Sequence, residues 1–267
     1  MKPTMGVAII GGGLFVKGSH LPAVLKCELF SLEAIYSRSL KSAQETADLI
    51  PESVKKPDLY AEDAGASKSY QDLLKRDDIS AVIIALPILT QPSFIEAALA
   101  AGKHVLAEKP IAKDVACART LISNAQRICA TSKATFAIAE NVRFYPSFSY
   151  AAGEAAKFGK VHNFSVRVLW RVEPDNKWYN TAWRKTPDYQ GGFLLDAGVH
   201  WAAATRLLLA GEENKPESVQ AFTAQMCEHL PPIDTLNAIV KTQSGGVGLV
   251  PALSWISAPG FRVELLL

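Results

Sequence analysis

A strand–helix–strand pattern across residues 81–110 constrains the fold of this chain more than any other stretch. Ala81–Leu86 is a short apolar run rich in β-branched residues, which predicts a buried strand. Apolar residues at helical spacing follow over Gln91–Ala101, and Gly102 ends that helix. His104–Ala107 is a second short apolar strand. A helix that joins two such strands forms a right-handed crossover, so the sequence predicts a parallel sheet.

The tripeptide Glu108-Lys109-Pro110 stands at the carboxyl end of the second of these strands. Parallel sheets bind ligands at the carboxyl ends of their strands, so Lys109 is predicted to lie beside a cofactor or substrate. A lysine there can donate or accept a proton. The same residues also fit a surface lysine before a turn proline. We further expect a cis Lys109–Pro110 bond, because a cis proline next to a site usually forms a turn.

A glycine-rich segment follows the first predicted strand, Gly6–Ile10. It reads Gly11-Gly12-Gly13-Leu14-Phe15-Val16. The pattern matches the dinucleotide fingerprint G-x-G-x-x-G up to its last position, where Val16 predicts a slightly wider contact between helix and strand. Gly11 allows the tight turn, Gly13 allows the backbone to approach a pyrophosphate, and a helix from Leu14 offers its N–H groups. A simple glycine-rich turn is the alternative, which the flanking strands disfavour.

The second predicted strand, Leu32–Tyr36, leads into Ser37 and Arg38. NAD-binding folds usually carry an acidic residue at this point for the ribose hydroxyls, and none stands here. Glu33 lies too early in the strand to reach the ribose. Ser37 and Arg38 therefore predict a site for the 2′-phosphate of NADP, with NAD as the alternative cofactor. An exposed arginine at a helix start explains the same residues without a ligand.

The rest of the chain predicts elements of both kinds. Pro51–Ser69 is predicted to be a surface connection, and the pattern predicts helices at Leu40–Ile50, Tyr70–Lys75, Ile111–Ser132 and Ser147–Phe158. Strands are predicted at Thr135–Ala139, Val161–Val172, Val219–Met226, Thr235–Thr242, Gly248–Ser257 and Phe261–Leu267, with turns at Gly245-Gly246 and Pro259-Gly260. The last four strands read as an antiparallel meander. The final strand is apolar, so we expect an open edge that favours homo-oligomers.

Asp196 and His200 are spaced four residues apart, which puts both on one face of a helix. An aspartate beside a histidine commonly orients the imidazole for proton transfer. A capping aspartate and a packed histidine would give the same spacing. The preceding loop, residues 174–190, carries Trp178, Tyr179 and Trp183, which either stack on a ligand ring or fill the domain junction.

Two segments carry a resemblance to a known family. They read AGKHVLAEKPIA at residues 101–112 and SYQDLLKRDDISAVIIALP at residues 69–87. Both resemble the glucose–fructose oxidoreductase, inositol dehydrogenase and rhizopine-catabolism family (Gfo/Idh/MocA). The resemblance implies an α/β fold, with a Rossmann-type doubly wound parallel sheet over residues 1–140. An α+β open-sheet domain follows over residues 141–267, and it looks incomplete at its end. The implied activity is that of an NAD(P)-dependent oxidoreductase acting on a hydroxyl or carbonyl of a sugar, polyol or aldehyde.

The resemblance also implies site residues. Lys109 would lie beside the nicotinamide and the substrate hydroxyl, and Asn141 would face the nicotinamide. His200 would contact the substrate carbinol with Asp196 close by, so these two join Lys109 as candidate catalytic residues. Asp196 would either orient His200 or bind a substrate hydroxyl. The residues predicted to bind the cofactor are Gly11, Gly13, Leu14, Phe15, Ser37, Arg38, Leu86, Pro87, Gln91, Glu108, Lys109, Asn141, Trp183 and Arg184.

Three positions depart from the family pattern: Val16, Gln91, where the family often has a histidine, and Ala203, where it often has an aspartate. A dinucleotide-binding regulator without turnover, or an inactive fragment, is therefore the alternative to an enzyme. The joint presence of Lys109, Asp196 and His200 favours the enzyme.

Composition excludes several other classes. Of the 267 residues, 49% are hydrophobic and 20% charged, as in a globular protein with a core. A formal net charge of +2 gives no reason to expect nucleic acid or an anionic membrane as partner. The 4 cysteines form no C-x-x-C pair, so no metal site or disulfide framework is predicted. With no apparent signal peptide or membrane span, we expect a cytoplasmic protein with a small-molecule substrate.

Overall fold

A computed structural model describes residues 4–190, 192–253 and 261–266, and the chain divides into two compact units, Met1–Ala139 and Glu140–Leu267. The strands of the first unit are β1 (Met5–Ile10), β2 (Phe30–Ser37), β3 (Asp58–Ala61), β4 (Ala81–Ile84), β5 (His104–Ala107) and β6 (Phe136–Ile138). They form one sheet in the order β3-β2-β1-β4-β5-β6, with every pairing parallel. The strand order reverses between β1 and β4, which is where sheets of this kind bind ligands.

Helices of the first unit lie between its strands along the chain. They are a π-helical turn (Val16–His20), α1 (Leu21–Lys26), α2 (Leu40–Ala47), α3 (Tyr70–Leu74), α4 (Gln91–Ala100) and α5 (Val115–Ser132). Side chains from the preceding residues fix three of their starts. Ser39 Oγ accepts from Ser42 N before α2, Ser69 forms a capping box with Asp72, and Asp114 accepts from Cys117 N before α5.

Strand β1 contributes to two separate hydrophobic cores. Its side chains point alternately to opposite faces of the sheet. Val7 and Ile9 belong to a core with α1 and α2, whereas Ala8 and Ile10 belong to a core with α3, α4 and α5. Burial on both faces explains why the strand reads as a continuous apolar run, and the doubly wound α/β class predicted from the sequence is confirmed.

The prediction for Pro51–Ser69 is wrong in one part, because Asp58–Ala61 forms strand β3 at the edge of the sheet. It pairs in parallel with β2, from Ala34 opposite Asp58 to Ser37 opposite Ala61. Its four residues, DLYA, are too few and too mixed to show a period in a segment of prolines and charges. Pairing with β2 stabilises this short strand.

The second unit contains a five-stranded mixed sheet. Its elements are α6 (Pro146–Ala155), β7 (Asn163–Trp170), α7 (Ala182–Lys185), α8 (Gly192–Leu208), β8 (Pro216–Ala224), β9 (Thr235–Thr242), β10 (Val247–Leu253) and β11 (Phe261–Leu266). The order is β11-β7-β10-β9-β8, with β7 and β10 parallel and the other pairs antiparallel.

The predicted meander is confirmed for β8, β9 and β10 and is wrong for β11, which pairs with β7. The inner face of β7 carries Phe164, Val166, Val168 and Trp170, all at most 7% exposed. A strand with so apolar a face gains most from a position with neighbours on both sides. Strand β11 lies at one edge of the sheet, and its self-association stays a prediction. Pro259-Gly260 and residues 254–257 of a predicted strand lie outside the described residues.

Candidate active site

The glycine-rich segment after β1 makes a tight turn with one open position. Gly11 has a φ of +130°, and a Cβ added there would lie 2.3 Å from the Ala85 carbonyl oxygen. A Cβ on Gly12 would lie 2.4 Å from Ser42 Oγ. By contrast, among the described residues other than its two chain neighbours, no heavy atom lies within 4 Å of a Cβ built on Gly13. Packing of the chain therefore requires the first two glycines, whereas Gly13 faces open space.

The helix after this turn begins at Leu14, as predicted, and it passes through the π-helical turn before α1. Val16, which replaces the third fingerprint glycine, is fully buried at the start of that turn. Leu14 and Phe15 sit at the amino end of the helix, where first-turn N–H groups and the helix dipole favour an anion. This end of the helix and the open Gly13 suit a dinucleotide phosphate.

We expect Gly13→Ala to weaken dinucleotide binding roughly tenfold, about 1.4 kcal/mol, and to leave the melting temperature near that of wild type. The added methyl group meets no described residue beyond its chain neighbours and occupies space that a pyrophosphate needs. Gly11→Ala is the matched control, since its strained φ and its contact with Ala85 should lower the melting temperature instead. Dinucleotide titration and thermal unfolding of both variants test this, and unchanged binding by Gly13→Ala would contradict it.

The Glu108-Lys109-Pro110 turn is held from several sides, and its Lys109–Pro110 bond is cis, as predicted. Glu108 N donates to the Ile84 carbonyl at 2.8 Å, which continues the β4–β5 pairing. Gln91 Nε2 donates to the carbonyl oxygens of Glu108 at 2.6 Å and Pro110 at 3.2 Å. Gln91 is 1% exposed and holds this turn, and its contact with a cofactor stays a prediction.

The Glu108 carboxylate has a partner that sequence reasoning missed. His20 Nε2 lies 2.8 Å from Glu108 Oε1, and the Lys109 N–H donates to Glu108 Oε2 at 3.2 Å. Glu108 is 9% exposed, so its predicted contact with a cofactor competes with these internal bonds. Lys109 itself is partly buried, at the carboxyl end of β5.

A carboxylate from outside β2 lies close to the carboxyl end of this strand. Ser37 is buried and Arg38 is exposed, so Arg38 is accessible to a ligand. The strand end itself carries no acidic residue, as the sequence shows, but Asp63 Oδ1 accepts from Leu40 N at 2.6 Å, two residues after Arg38. Asp63 follows strand β3, which the sequence does not predict, so the residues of β2 alone do not reveal this carboxylate. Glu33 is turned to another partner, since Lys55 lies 2.8 Å away and lowers the pKa of the Glu33 carboxyl.

The second unit brings His200 against Glu140. His200 lies on α8, and its Nδ1 is 2.5 Å from Glu140 Oε1, with side-chain exposures of 22% and 12%. Glu140 also accepts from Val142 N at 3.3 Å, which caps the 3₁₀ turn Asn141–Phe144. A carboxylate on Nδ1 fixes the imidazole tautomer and leaves Nε2 for a ligand. Asn141 is exposed on this turn, and its amide donates to Tyr145 Oη at 3.2 Å.

The orienting role that the sequence assigns to Asp196 is therefore corrected, because Glu140 occupies His200 Nδ1. Asp196 shares α8 with His200, as predicted, and its Oδ2 accepts from Arg184 Nε at 2.8 Å. Arg184 also donates to Thr181 Oγ1 at 3.0 Å, and its guanidinium stacks on Trp183 at 3.9 Å from the ring centroid. The structure thus places Trp183 and Arg184 on α7, with Arg184 bound inside this unit.

A tyrosine near this ion pair was also missed by sequence reasoning. The hydroxyl of Tyr189 is buried and has no hydrogen-bond partner among the described residues. Burial, and then the charge of Asp196, raises the pKa of Tyr189 to about 12. The phenol therefore stays protonated at neutral pH and is able to donate a hydrogen bond.

Two of the residues predicted to bind the cofactor, Leu86 and Pro87, lie at the ligand-binding edge of the first sheet. Leu86 and Pro87 follow the carboxyl end of β4, on the same edge of the sheet as the glycine-rich turn after β1.

In the described part of the chain, no group of three or more His, Cys, Asp or Glu side chains is arranged to hold a metal. No helix within it is long and apolar enough to cross a membrane.

Comparisons with known proteins identify the family. The family described as "Oxidoreductase family, NAD-binding Rossmann fold" matches residues 5–133, and the "GFO/IDH/MocA C-terminal domain" matches residues 151–266. The chain is 40% identical to Dehydrogenase FPY6 of Fusarium mangiferae over 250 residues, or 92% of this chain and 70% of that protein. It therefore belongs to the GFO/IDH/MocA oxidoreductase family, as the sequence motifs predicted.

Two further relatives agree with this assignment. A D-xylose 1-dehydrogenase (NADP(+)) of Haloferax volcanii is 31% identical, with 97% of this chain and 69% of that protein aligned. The crystal structure of an oxidoreductase from Thermotoga maritima superposes with a TM-score of 0.82 at 32% identity, covering 98% of this chain and 76% of that chain. The chain thus spans 69% of one relative's length and 76% of the other's.

Proposed function

We propose that this chain is an NAD(P)-dependent oxidoreductase that transfers a hydride between nicotinamide and a hydroxyl or carbonyl carbon. The substrate class is a small polar molecule, namely a sugar, polyol or aldehyde. The observation that carries the proposal is the position of Lys109 at the carboxyl end of β5. Its backbone N–H donates to the Glu108 carboxylate, and Gln91 donates to the neighbouring carbonyls of Glu108 and Pro110. The name of the Haloferax relative, a sugar dehydrogenase that uses NADP, supports this substrate class.

The residues of the first unit fit a dinucleotide. Gly13 leaves room for a pyrophosphate, and the helix from Leu14 directs N–H groups toward it. A bound nicotinamide supplies or accepts the hydride, which is chemistry that no side chain performs. The task left to the protein is to orient the substrate and to move one proton.

Lys109 is assigned to move that proton. In carbonyl reduction the lysine ammonium donates a proton to the substrate oxygen as the carbon gains a hydride, and the product is an alcohol. In alcohol oxidation the neutral amine accepts the hydroxyl proton as the hydride leaves. His200 is the second choice for this role, because Glu140 leaves its Nε2 for a substrate hydroxyl. Substrate hydroxyls have further possible partners close to His200 in the sequence: the Asp196–Arg184 ion pair and the Tyr189 hydroxyl.

NADP is the proposed cofactor, with NAD as the alternative. Arg38 is exposed at the end of β2, and a guanidinium forms paired, charge-assisted bonds with a phosphate. Asp63 opposes this preference, since a carboxylate near the ribose favours hydroxyls over a phosphate. The proposal therefore requires that the attraction of the 2′-phosphate to the positive charge of Arg38 exceeds its repulsion by the negative charge of Asp63.

A steady-state assay tests the activity. NADPH and NADH are each incubated with a panel of aldehydes and keto-sugars, and NADP and NAD with aldoses and polyols. Turnover of the nicotinamide with at least one substrate supports an oxidoreductase. Tight dinucleotide binding with no turnover on either panel would instead identify a regulator and reject the proposal.

The Glu140–His200 pair gives a second prediction. Glu140→Gln should lower kcat about tenfold, since a hydrogen bond to a charged group contributes about 1.5–3 kcal/mol. The glutamine still accepts from Nδ1 but no longer stabilises a protonated imidazole. Glu154→Gln, an exposed carboxylate on α6 of the same unit, is the control and should leave kcat unchanged. Equal kcat values for both variants and wild type would remove His200 from proton transfer.

A further inference from the structure

Two segments that are far apart in the sequence meet at the Glu108 carboxylate. His20 ends the π-helical turn that follows the glycine-rich segment, and its Nε2 lies 2.8 Å from Glu108 Oε1. The other oxygen, Oε2, accepts from the backbone N–H of Lys109 at 3.2 Å. The two side chains are only 12% and 11% exposed. One carboxylate therefore connects the helix of the proposed phosphate site to the backbone of the proposed proton-transferring residue.

The π-helical turn determines where the imidazole lies. A π turn bonds residues five apart, so side chains after it are rotated relative to a continuous α-helix. Phe15 and His20 are five residues apart, and their rings pack edge to face with centroids 5.3 Å apart. This packing fixes the plane of the imidazole and keeps Nε2 directed at Glu108. The buried Val16, in place of the third fingerprint glycine, begins the same turn.

We propose that His20 is a positioning residue for Lys109 and acts through Glu108. The imidazole holds the Glu108 carboxylate in the orientation in which Oε2 receives the Lys109 N–H. Gln91 holds the carbonyls on the two sides of that N–H. This inference rests on the proposed function, because it assumes that Lys109 transfers the proton.

Loss of His20 should misplace Lys109 without unfolding the unit. Without the imidazole, a nearly buried carboxylate loses its partner and turns toward water, so the Lys109 N–H loses its acceptor. A displacement of about 1 Å at a reacting group can cost up to about 100-fold in rate. We expect His20→Ala to lower kcat about tenfold or more, while the Kd for the dinucleotide changes less than about threefold.

Two variants separate positioning from general stability. His20→Gln keeps an N–H donor near the position of Nε2 and should restore most of the wild-type kcat. His104→Ala removes another histidine of the same unit, whose Nδ1 contacts Thr135 Oγ1 at 2.9 Å at the amino end of β5. It should leave kcat unchanged. A merely structural role for His20 would predict no rescue by glutamine.

A double-mutant cycle gives the sharpest test. If His20 acts only through Lys109, then His20→Ala should have no further effect on kcat in the Lys109→Ala background. A near-normal kcat for Lys109→Ala would reject the lysine's role in the proposed function and this inference with it. A low kcat for Lys109→Ala, combined with independent and multiplicative losses, would overturn the positioning role alone.

A second readout does not depend on knowing the substrate. A limiting amine-reactive ester is allowed to label the protein, and labelling of Lys109 is measured by peptide mass spectrometry against the exposed Lys113. We expect the Lys109-to-Lys113 ratio to change by about threefold or more in His20→Ala and to match wild type in His20→Gln. The same ratio in all three proteins would overturn the inference.

Discussion

Lys109→Ala is expected to lower kcat by about 100-fold or more, which is the usual loss when a general acid–base group is removed. The reason is its place at the carboxyl end of β5, where its backbone is bound by Glu108. Dinucleotide binding should change little, because the phosphate contacts are assigned to Gly13 and the helix after it. The measurement is a steady-state kcat together with a fluorescence titration of the dinucleotide.

Lys113→Ala provides the matched control, since it removes an exposed lysine four residues later in the same connection. Its kcat should equal that of wild type. If Lys109→Ala keeps near-normal turnover, the lysine has no part in proton transfer and His200 becomes the first candidate. If both variants lose activity alike, the loss reflects the net positive charge of the segment.

Arg38→Ala is expected to weaken NADP binding by about one to two powers of ten, since a charged hydrogen-bonded pair contributes about 1.5–3 kcal/mol. NAD lacks the 2′-phosphate, so its binding should hardly change. Lys41→Ala removes a nearby exposed cation on α2 and controls for net charge. Titration of both cofactors against these variants tests the cofactor preference.

Asp63→Asn gives the complementary result. Removing this carboxylate from the start of α2 should tighten NADP several-fold, about 1 kcal/mol, because it relieves repulsion of the phosphate. Equal losses for NADP and NAD in Arg38→Ala would mean that Arg38 is a surface residue only. Tighter binding of NAD than of NADP by the wild-type protein would assign the site to Asp63 and the ribose hydroxyls.

The elements with local signals were predictable from the sequence. The apolar runs at β4 and β5 and the helical spacing of α4 together predicted the parallel crossover. The helix predicted from Ile111 begins at Val115 in the structure, where Asp114 caps it. In each case the signal lies within a few residues and follows from strand or helix periodicity.

The contacts of the candidate site were not predictable in the same way. His20 meets Glu108 across 88 residues, and His200 meets Glu140 across 60 residues. No period links such pairs, and a π-helical turn gives no sequence signal of its own. The choice of Asp196 as the partner of His200 followed from helical spacing. The observed partner is Glu140, which stands at the start of the second unit. Short-range spacing therefore found the residues but not their partners.

Strand β1 supplies alternate side chains to the two cores on opposite faces of the first sheet. Neither layer of helices can separate from the sheet without leaving one face of this strand exposed to water. The two layers are thus coupled in one folding equilibrium, although no helix of one layer need touch a helix of the other. We therefore expect local opening in this unit to begin at its edge strands, β3 and β6, and the glycine-rich turn after β1 to stay folded as long as the unit does.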